Sequence, residues 1–580
     1  MAETLISPGV LSREQDKSFI APSPLAAGAA FIGPTVLGPV EEPTVVTSYG
    51  AYQQKFGTTF QSGSAKSEFL TSIAVKSYFE QGGSSALITR VVDGSFSGAS
   101  NSTIAAADAG AAPFTLSTLG KGALFNNSTG AGDAGDQNSD GSLVSGTSDN
   151  IRWEIGNVSI ANGTFSLIVR RGDDSTKEKT ILESFNDLSL DPNSDGYIAK
   201  VIGDQYKTKS SDGSSTYLAS VGSYVNRSRY IRVSSVDRAT LDYLSNDGIN
   251  IRTGAYSGSL PTASSGSFHG ASGNLWKSSE PNKMFSEITA TNIQGLDAAD
   301  YADAISILSN EDEYVFNIVS APGLIYSFGD HKVQLDSLMS LSSNRGDNIA
   351  VVDLSPYGSM VSSAAGNAGT VNSSYAATYW PWLQVSSATG RNEFVPAGVV
   401  IPGVYVFTDN AAAPWFAPAG LTRGGIPNVI QAERKLTRSQ RDTLYAANVN
   451  PIATFPGSGI SVFGQKTLQK KKSALDRVNV RRLLIDLKKF LGDAAKNIVF
   501  EQNTIGTRNS FLSSVNPYLE SVVQRQGLYA FRVVMDDTNN TADVIDRNQL
   551  VGQIFIQPAK TAEFISLDFV IMPTGATFGA

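Results

Sequence analysis

The sequence predicts a multidomain α+β and α/β chain, on three observations. Its 580 residues suffice for about four domains of roughly 150 residues each. Between 298 and 353, strand-type apolar runs alternate with segments of helical period, the pattern of an α/β layer. Asn162-Gly163 stands between two alternating apolar segments, the strongest short-range hairpin signal, and marks a β-rich region around it.

Residues 1–24 place Pro8, Gly9, Pro22 and Pro24 around a polar stretch without any period, and are expected as an extended N-terminal arm. Over 25–93 the spacing predicts short strands at 31–32 and 45–47, a helix near 66–80 stopped by Gly82-Gly83, and an apolar strand over 86–92. From Gly94 to Asn150, 35 of 57 residues are Gly, Ala, Ser or Asn and one is basic, which reads as a linker or a loose insertion. The β-rich region continues to about 295, with another Gly/Ser/Thr-rich stretch at 257–273. The α/β layer of 296–436 takes helices at 298–308 and near 332–343, with strands at 314–320 and 349–353.

The last part, 437–580, opens with Thr437-Arg-Ser-Gln440, a capping box ahead of a helix to about 448. Val480, Leu483, Leu484, Leu487, Leu491, Ala494 and Ile498 then fit the apolar stripe of an amphipathic helix. A further helix over 511–523 ends at Gly527, and strands at 528–535, 550–557 and 564–572 close the chain.

Composition excludes most site chemistry. With no Cys there are no disulfides, thiolate zinc sites, iron–sulfur clusters or cysteine nucleophiles, and any imidazole chemistry has to use His269 or His331. A formal charge of −8 argues against a global nucleic-acid surface. The N-terminus has no charged and apolar export signal, and the apolar run at 25–32 is about half a bilayer crossing, so a soluble, cytosol-made protein without membrane insertion is expected.

Four motifs invite a site, and each has a plainer reading. Gly130-Ala-Gly-Asp-Ala-Gly135 has the letters of a dinucleotide loop without the strand before it or the helix after it. Asp191-Pro-Asn-Ser-Asp-Gly196 and Asp136-Gln-Asn-Ser-Asp-Gly141 begin like calcium loops, but position twelve is Ile202 or Thr147 rather than Glu, which leaves Asx-rich turns. Glu311-Asp312-Glu313 reads as a solvated edge, and His331 as a loop or satisfied surface residue. No catalytic, cofactor-binding or metal residue is assigned, no cofactor is expected, and the chain is read as no enzyme.

One electrostatic feature stands out. Between Lys466 and Lys496 ten basic residues meet three acidic ones, a local +7. On the amphipathic helix Arg481, Arg482, Lys488 and Lys489 lie opposite the leucine stripe, so one face packs while the other is free to meet an acidic surface. A merely solvated face is the competing reading, and nucleic acid is a weaker one because no aromatics interleave with the cations.

Three stretches together resemble the contractile tail sheath proteins of tailed, myovirus-type bacteriophages. The first comprises Ser7-Pro-Gly-Val10, Ala30-Phe-Ile-Gly-Pro34, Lys55-Phe-Gly57 and Tyr78-Phe-Glu-Gln-Gly-Gly83. In the middle come Tyr379-Trp-Pro-Trp-Leu383, Val395-Pro-Ala-Gly398 and Ala417-Pro-Ala-Gly420. The last holds Asn448-Val-Asn-Pro-Ile452, Asn479-Val-Arg-Arg-Leu-Leu484, Val499-Phe-Glu-Gln-Asn503 and Ala562-Glu-Phe-Ile565.

The resemblance implies a sheath core formed by 25–93, 296–436 and 437–580, with 94–295 as an outward-facing insertion. It also implies a homo-oligomer of stacked hexameric rings or a helical sheath, built by heterologous contacts around a tail tube and ended by baseplate and tail terminator proteins. Such a sheath is a virion tail component assembled in the host cytoplasm, and its contraction drives the tube through the host envelope for genome ejection and host entry. No direct nucleic-acid contact follows. Within this expectation Arg481, Arg482, Lys488 and Lys489 face the tube, and the closing strand, with Ile565, Leu567, Phe569 and Ile571, is an arm exchanged between subunits by strand addition. The sheath of a genome-free, phage-derived injection particle fits the same residues. A surface or fibre adhesin is a remoter alternative.

Overall fold

The computed structural model describes residues 25–62, 65–127, 137–213, 216–275 and 288–566. The expected arm at 1–24, the loop Gly130–Gly135, Asp136, and Leu567, Phe569 and Ile571 of the closing strand lie outside the described residues.

A six-stranded sheet organises the molecule, in the order Ala376–Ala377, Ile349–Asp353, Ile318–Ile325, Ala29–Gly33, Ala86–Arg90, Thr44–Val46. All neighbours are parallel except the last pair. Its central strands are buried along their whole length, as continuous apolar runs require when helices cover both faces. Side chains alternate between the two faces. Phe31, Ile88 and Val351 point to the helices Leu70–Glu80 and Ile401–Ala411. Ala30, Ile32, Leu87 and Val352 point to Tyr301–Ile307 and Gly329–Arg345. One sheet thus joins two distant parts of the sequence, and the chain leaves it after Arg90 to return at Ile318.

The intervening residues form a β-sandwich. Its sheets run Ile181–Ser189, Thr164–Arg171, Ile151–Ser159, Ser264–Gly266 and Ile231–Val236, Phe114–Lys121, Gly98–Asn101, Phe268–His269. Phe114, Leu116, Trp153, Phe165, Leu167 and Val233 fill its interior. The linker expected over 94–150 is corrected here. Phe114–Lys121 is a central strand with strictly alternating burial, and small residues serve close packing: a Cβ on Gly120 would collide with the Phe125 ring. The Asn162-Gly163 turn joins Ile151–Ser159 to Thr164–Arg171, with Gly163 at φ +68°.

Val36, Leu37, Phe60 and Phe69 pack with the sandwich interior, and charged contacts add to this junction between sandwich and core. The hairpin of Tyr206–Ser211 and Thr216–Val221 reaches back so that Lys209 meets Asp303 at 2.6 Å and Glu41 at 3.1 Å. Arg90, fully buried, donates to the carbonyls of Gly38 at 2.7 Å and Lys121 at 2.8 Å, bridging core and sandwich.

Beyond the sheet, Arg438–Ala446 begins with the predicted capping box, Thr437 and Gln440 bonding reciprocally. The helices Val478–Lys496 and Ile505–Gln524 pack through Leu483, Leu487, Phe511, Val515 and Leu519. An antiparallel pair, Leu528–Val534 with Gln553–Pro558, completes this part. Among the described residues no helix is long and apolar enough to cross a membrane.

His331 is neither in a loop nor at the surface. It is buried on Gly329–Arg345, where its Nδ1 accepts from the Ile325 N–H at 3.1 Å, and burial holds its pKa down to about 4, so the ring is neutral.

Candidate assembly surface of the C-terminal region

The helix Val478–Lys496 has two packed faces. Its leucine stripe meets Ile505–Gln524. Positions 481, 482, 488 and 489, paired at seven-residue spacing, share another face. That face lies on the chain's own central region.

Arg481 stacks 3.9 Å over the Tyr375 ring and donates through Nε to the Ser374 carbonyl at 3.0 Å; burial lowers its pKa. The Arg482 Nη2 donates to Asp409 Oδ1 at 2.7 Å and Oδ2 at 2.5 Å, below Tyr405, whose hydroxyl meets that of Tyr379 at 2.7 Å. Lys488 reaches the Tyr375 hydroxyl at 3.1 Å with its side chain exposed, and Lys489 donates to Asn317 Oδ1. Lys496 lies 3.8 Å from Asp312.

This corrects the expectation that all four cations stand free opposite the leucines. Arg481 and Arg482 are buried and committed inside the fold. The expectation failed because periodicity identifies which residues share a face but not what covers that face, and Ser374, Tyr375 and Asp409 lie far away in sequence. Exposed positive charge instead lies at Lys470-Lys471-Lys472, just before the helix and without an acidic partner among the described residues, together with Lys488. This triplet is part of the local +7 between Lys466 and Lys496.

The remaining motifs resolve into structural roles. Asp191 Oδ1 accepts from the Asn193 N–H at 3.0 Å, and Asp195 pairs with Lys200 at 2.7 Å, as Asx-rich turns do. Asp140 is taken by Ser142, and Glu313 accepts from the Tyr314 hydroxyl at 2.8 Å. Among the described residues no three Asp, Glu or His side chains gather as metal ligands. Ile565 is exposed, in a stretch without regular structure among its described residues.

A sheet built from two sequence segments around an inserted sandwich, followed by a helical C-terminal region, defines a modular α+β protein. Residues 292–468 match the phage tail sheath protein central domain and residues 470–572 the phage tail sheath C-terminal domain, so this part of the chain is similar to phage tail sheath proteins. It is 37% identical over 282 residues to the tail sheath protein of Vibrio phage KVP40, a match covering 48% of this chain and 41% of that protein. Against the tail sheath protein of Enterobacteria phage T4 the figures are 42% over 187 residues, 32% and 28%. The matches therefore span less than half the length of these relatives. In fold, the chain is similar to a sheath tail protein of Listeria innocua, with a TM-score of 0.52 at 10% identity over 92% of this chain and 95% of that one.

Proposed function

We propose that this protein is the repeating subunit of a contractile phage tail sheath, which polymerises around the tail tube and shortens to drive that tube through the host envelope. The observation that carries this reading is the pair of sheath domains over 292–572. In this reading the protein is a non-enzymatic component of the virion tail, assembled in the host cytoplasm, and its partners are copies of itself, the tube, the baseplate and the terminator. Its contraction draws on contacts formed between subunits rather than on a bound nucleotide.

The grip on the tube is assigned to the exposed lysines 470, 471, 472 and 488, with Lys489 beside Lys488, while Arg481 and Arg482 hold the helix that carries Lys488 and Lys489 and follows the triplet. Exposed charge contacts are worth about 0–1 kcal/mol each, so many weak contacts keep subunits in register and still release together.

Electron microscopy of the purified full chain tests the reading. Wide-bore tubular polymers are expected. A protein that stays monomeric at high concentration would sink it.

A further inference from the structure

The closing hairpin's ladder ends with the Ala559 N–H donating to the Gly527 carbonyl at 3.0 Å, and the chain beyond it meets the body through Thr561 and Glu563. Of residues 560–566, only Glu563 is not exposed. Its side chain enters a socket built by three separate elements: Tyr445 near the end of Arg438–Ala446, Gln465 after the strand Gly459–Val462, and Arg477 at the start of Val478–Lys496.

Every acceptor position of the Glu563 carboxylate is used. Arg477 grips it in the two-pronged geometry favoured by guanidinium and carboxylate, Nε to Oε1 at 2.7 Å and Nη2 to Oε2 at 2.9 Å. The Tyr445 hydroxyl donates to Oε2 at 2.8 Å, and Gln465 Nε2 to Oε1 at 3.1 Å. Gln465 also reaches Thr561 Oγ1 at 2.6 Å. The walls are preset: Lys466 lies 4.4 Å over the Tyr445 ring and donates to the Tyr445 carbonyl at 2.6 Å, and Asp476 steadies Arg477 at 2.9 Å. Burial works against the charged carboxylate, but the bonds from Arg477, Tyr445 and Gln465 outweigh it and bring the Glu563 pKa below its ordinary value. Directly beyond, Phe564 and Ile565 are 85% and 78% exposed, so apolar contact does not hold this stretch.

We propose that Arg477, Tyr445 and Gln465 form a binding site for a side-chain carboxylate on an extended segment, and that Glu563, as its occupant, is the charged pin that fastens residues 561–566 to the body, with the Thr561–Gln465 bond beside it. One charged pin between an exposed hinge and an exposed apolar pair makes attachment all-or-none. Losing the carboxylate frees residues 561–566, and the body stays folded because its cores lie elsewhere. This inference concerns the chain by itself and does not rest on the sheath reading.

Trypsin cleavage after the exposed Lys560, followed by mass spectrometry on the full-length protein, reads the pin directly. Cleavage there follows the population in which the segment is released. Glu563→Gln is expected to speed it roughly tenfold or more at low salt, with Tm unchanged. Arg477→Lys, which keeps the charge and loses the fork, falls in between. Should the Arg477 variant not fold, Tyr445→Phe takes its place, with a smaller acceleration expected. Cleavage of Glu563→Gln at the wild-type rate would overturn the proposal. So would acceleration matched by an equal rise at sites throughout the chain, because that reports general unfolding.

Discussion

The guanidinium of Arg482 lies 4.8 Å over the Tyr405 ring and meets both carboxylate oxygens of Asp409, tying the C-terminal helix to Ile401–Ala411. Arg482 is 5% exposed and Asp409 21%, so removing one partner strands a charge in a poorly hydrated place. Arg482→Ala is expected to cost about 3–5 kcal/mol. Asp409→Asn, which keeps an acceptor oxygen, is expected to cost less. Denaturant unfolding measures both, and a loss below about 1 kcal/mol for Arg482→Ala would mean that the pair behaves as a surface pair.

Burial of Asp353 at the end of the strand Ile349–Asp353 raises its pKa to about 7, although the Gly398 N–H donates to Oδ1 at 2.9 Å. A carboxyl that binds its proton more tightly when folded favours the folded state at low pH. That advantage shrinks as pH rises from about 4 to 7 and is then gone. Asp353→Asn is therefore expected to raise Tm at pH 8 and change it little at pH 4. An equal effect at both pH values would show that the carboxyl ionises normally in the fold.

Replacing Lys470, Lys471 and Lys472 together by Gln is expected to leave Tm within about 1 °C, since exposed charges away from special features count for under about 0.5 kcal/mol. Assembly on tubes should instead become weaker and lose part of its salt dependence. Co-sedimentation at two ionic strengths reads this, and an unaltered salt profile would remove the lysines from the tube contact.

Arg90→Met is expected to destabilise by about 2–4 kcal/mol, because the carbonyls of Gly38 and Lys121 lose a charged donor at a dry junction. Hydrogen exchange should rise first along Phe114–Lys121 and around Gly38, with the far sandwich strands protected. Uniform loss of protection would argue against a local junction.

Most of the fold was legible where local rules decide it. Ile349–Asp353 falls on the predicted residues, the Thr437 capping box forms as its spelling requires, and Asn162-Gly163 lies in the connection between the two expected strands, which spans residues 160–163. Composition misled over 94–150, because Gly and Ser signal looseness only when nothing large packs on them, and here Phe125 packs on Gly120 and Phe96 on Gly122. His331 was misplaced because its burial is set by packing between helix Gly329–Arg345 and strand Ile318–Ile325, which no local pattern records. The candidate surface was half legible. The seven-residue spacing grouped the four cations correctly, whereas the partners that bury Arg481 and Arg482 come from residues 374–409. The Glu563 socket left no local trace, since Tyr445, Gln465 and Arg477 meet only through the tertiary fold.

The split central sheet also has a kinetic side. Ala29–Gly33 must wait for its neighbour Ile318–Ile325, which leaves the ribosome on the order of 10–60 s later at ordinary synthesis rates. During that interval Ala30, Ile32 and Leu87 lack the helices that later cover them. The sandwich made from the intervening residues can close first, leaving the growing chain with a folded middle and an unfinished sheet edge. Chaperone protection during translation should accordingly centre on the segment 29–90, and newly made chains stopped before residue 318 should be the aggregation-prone ones.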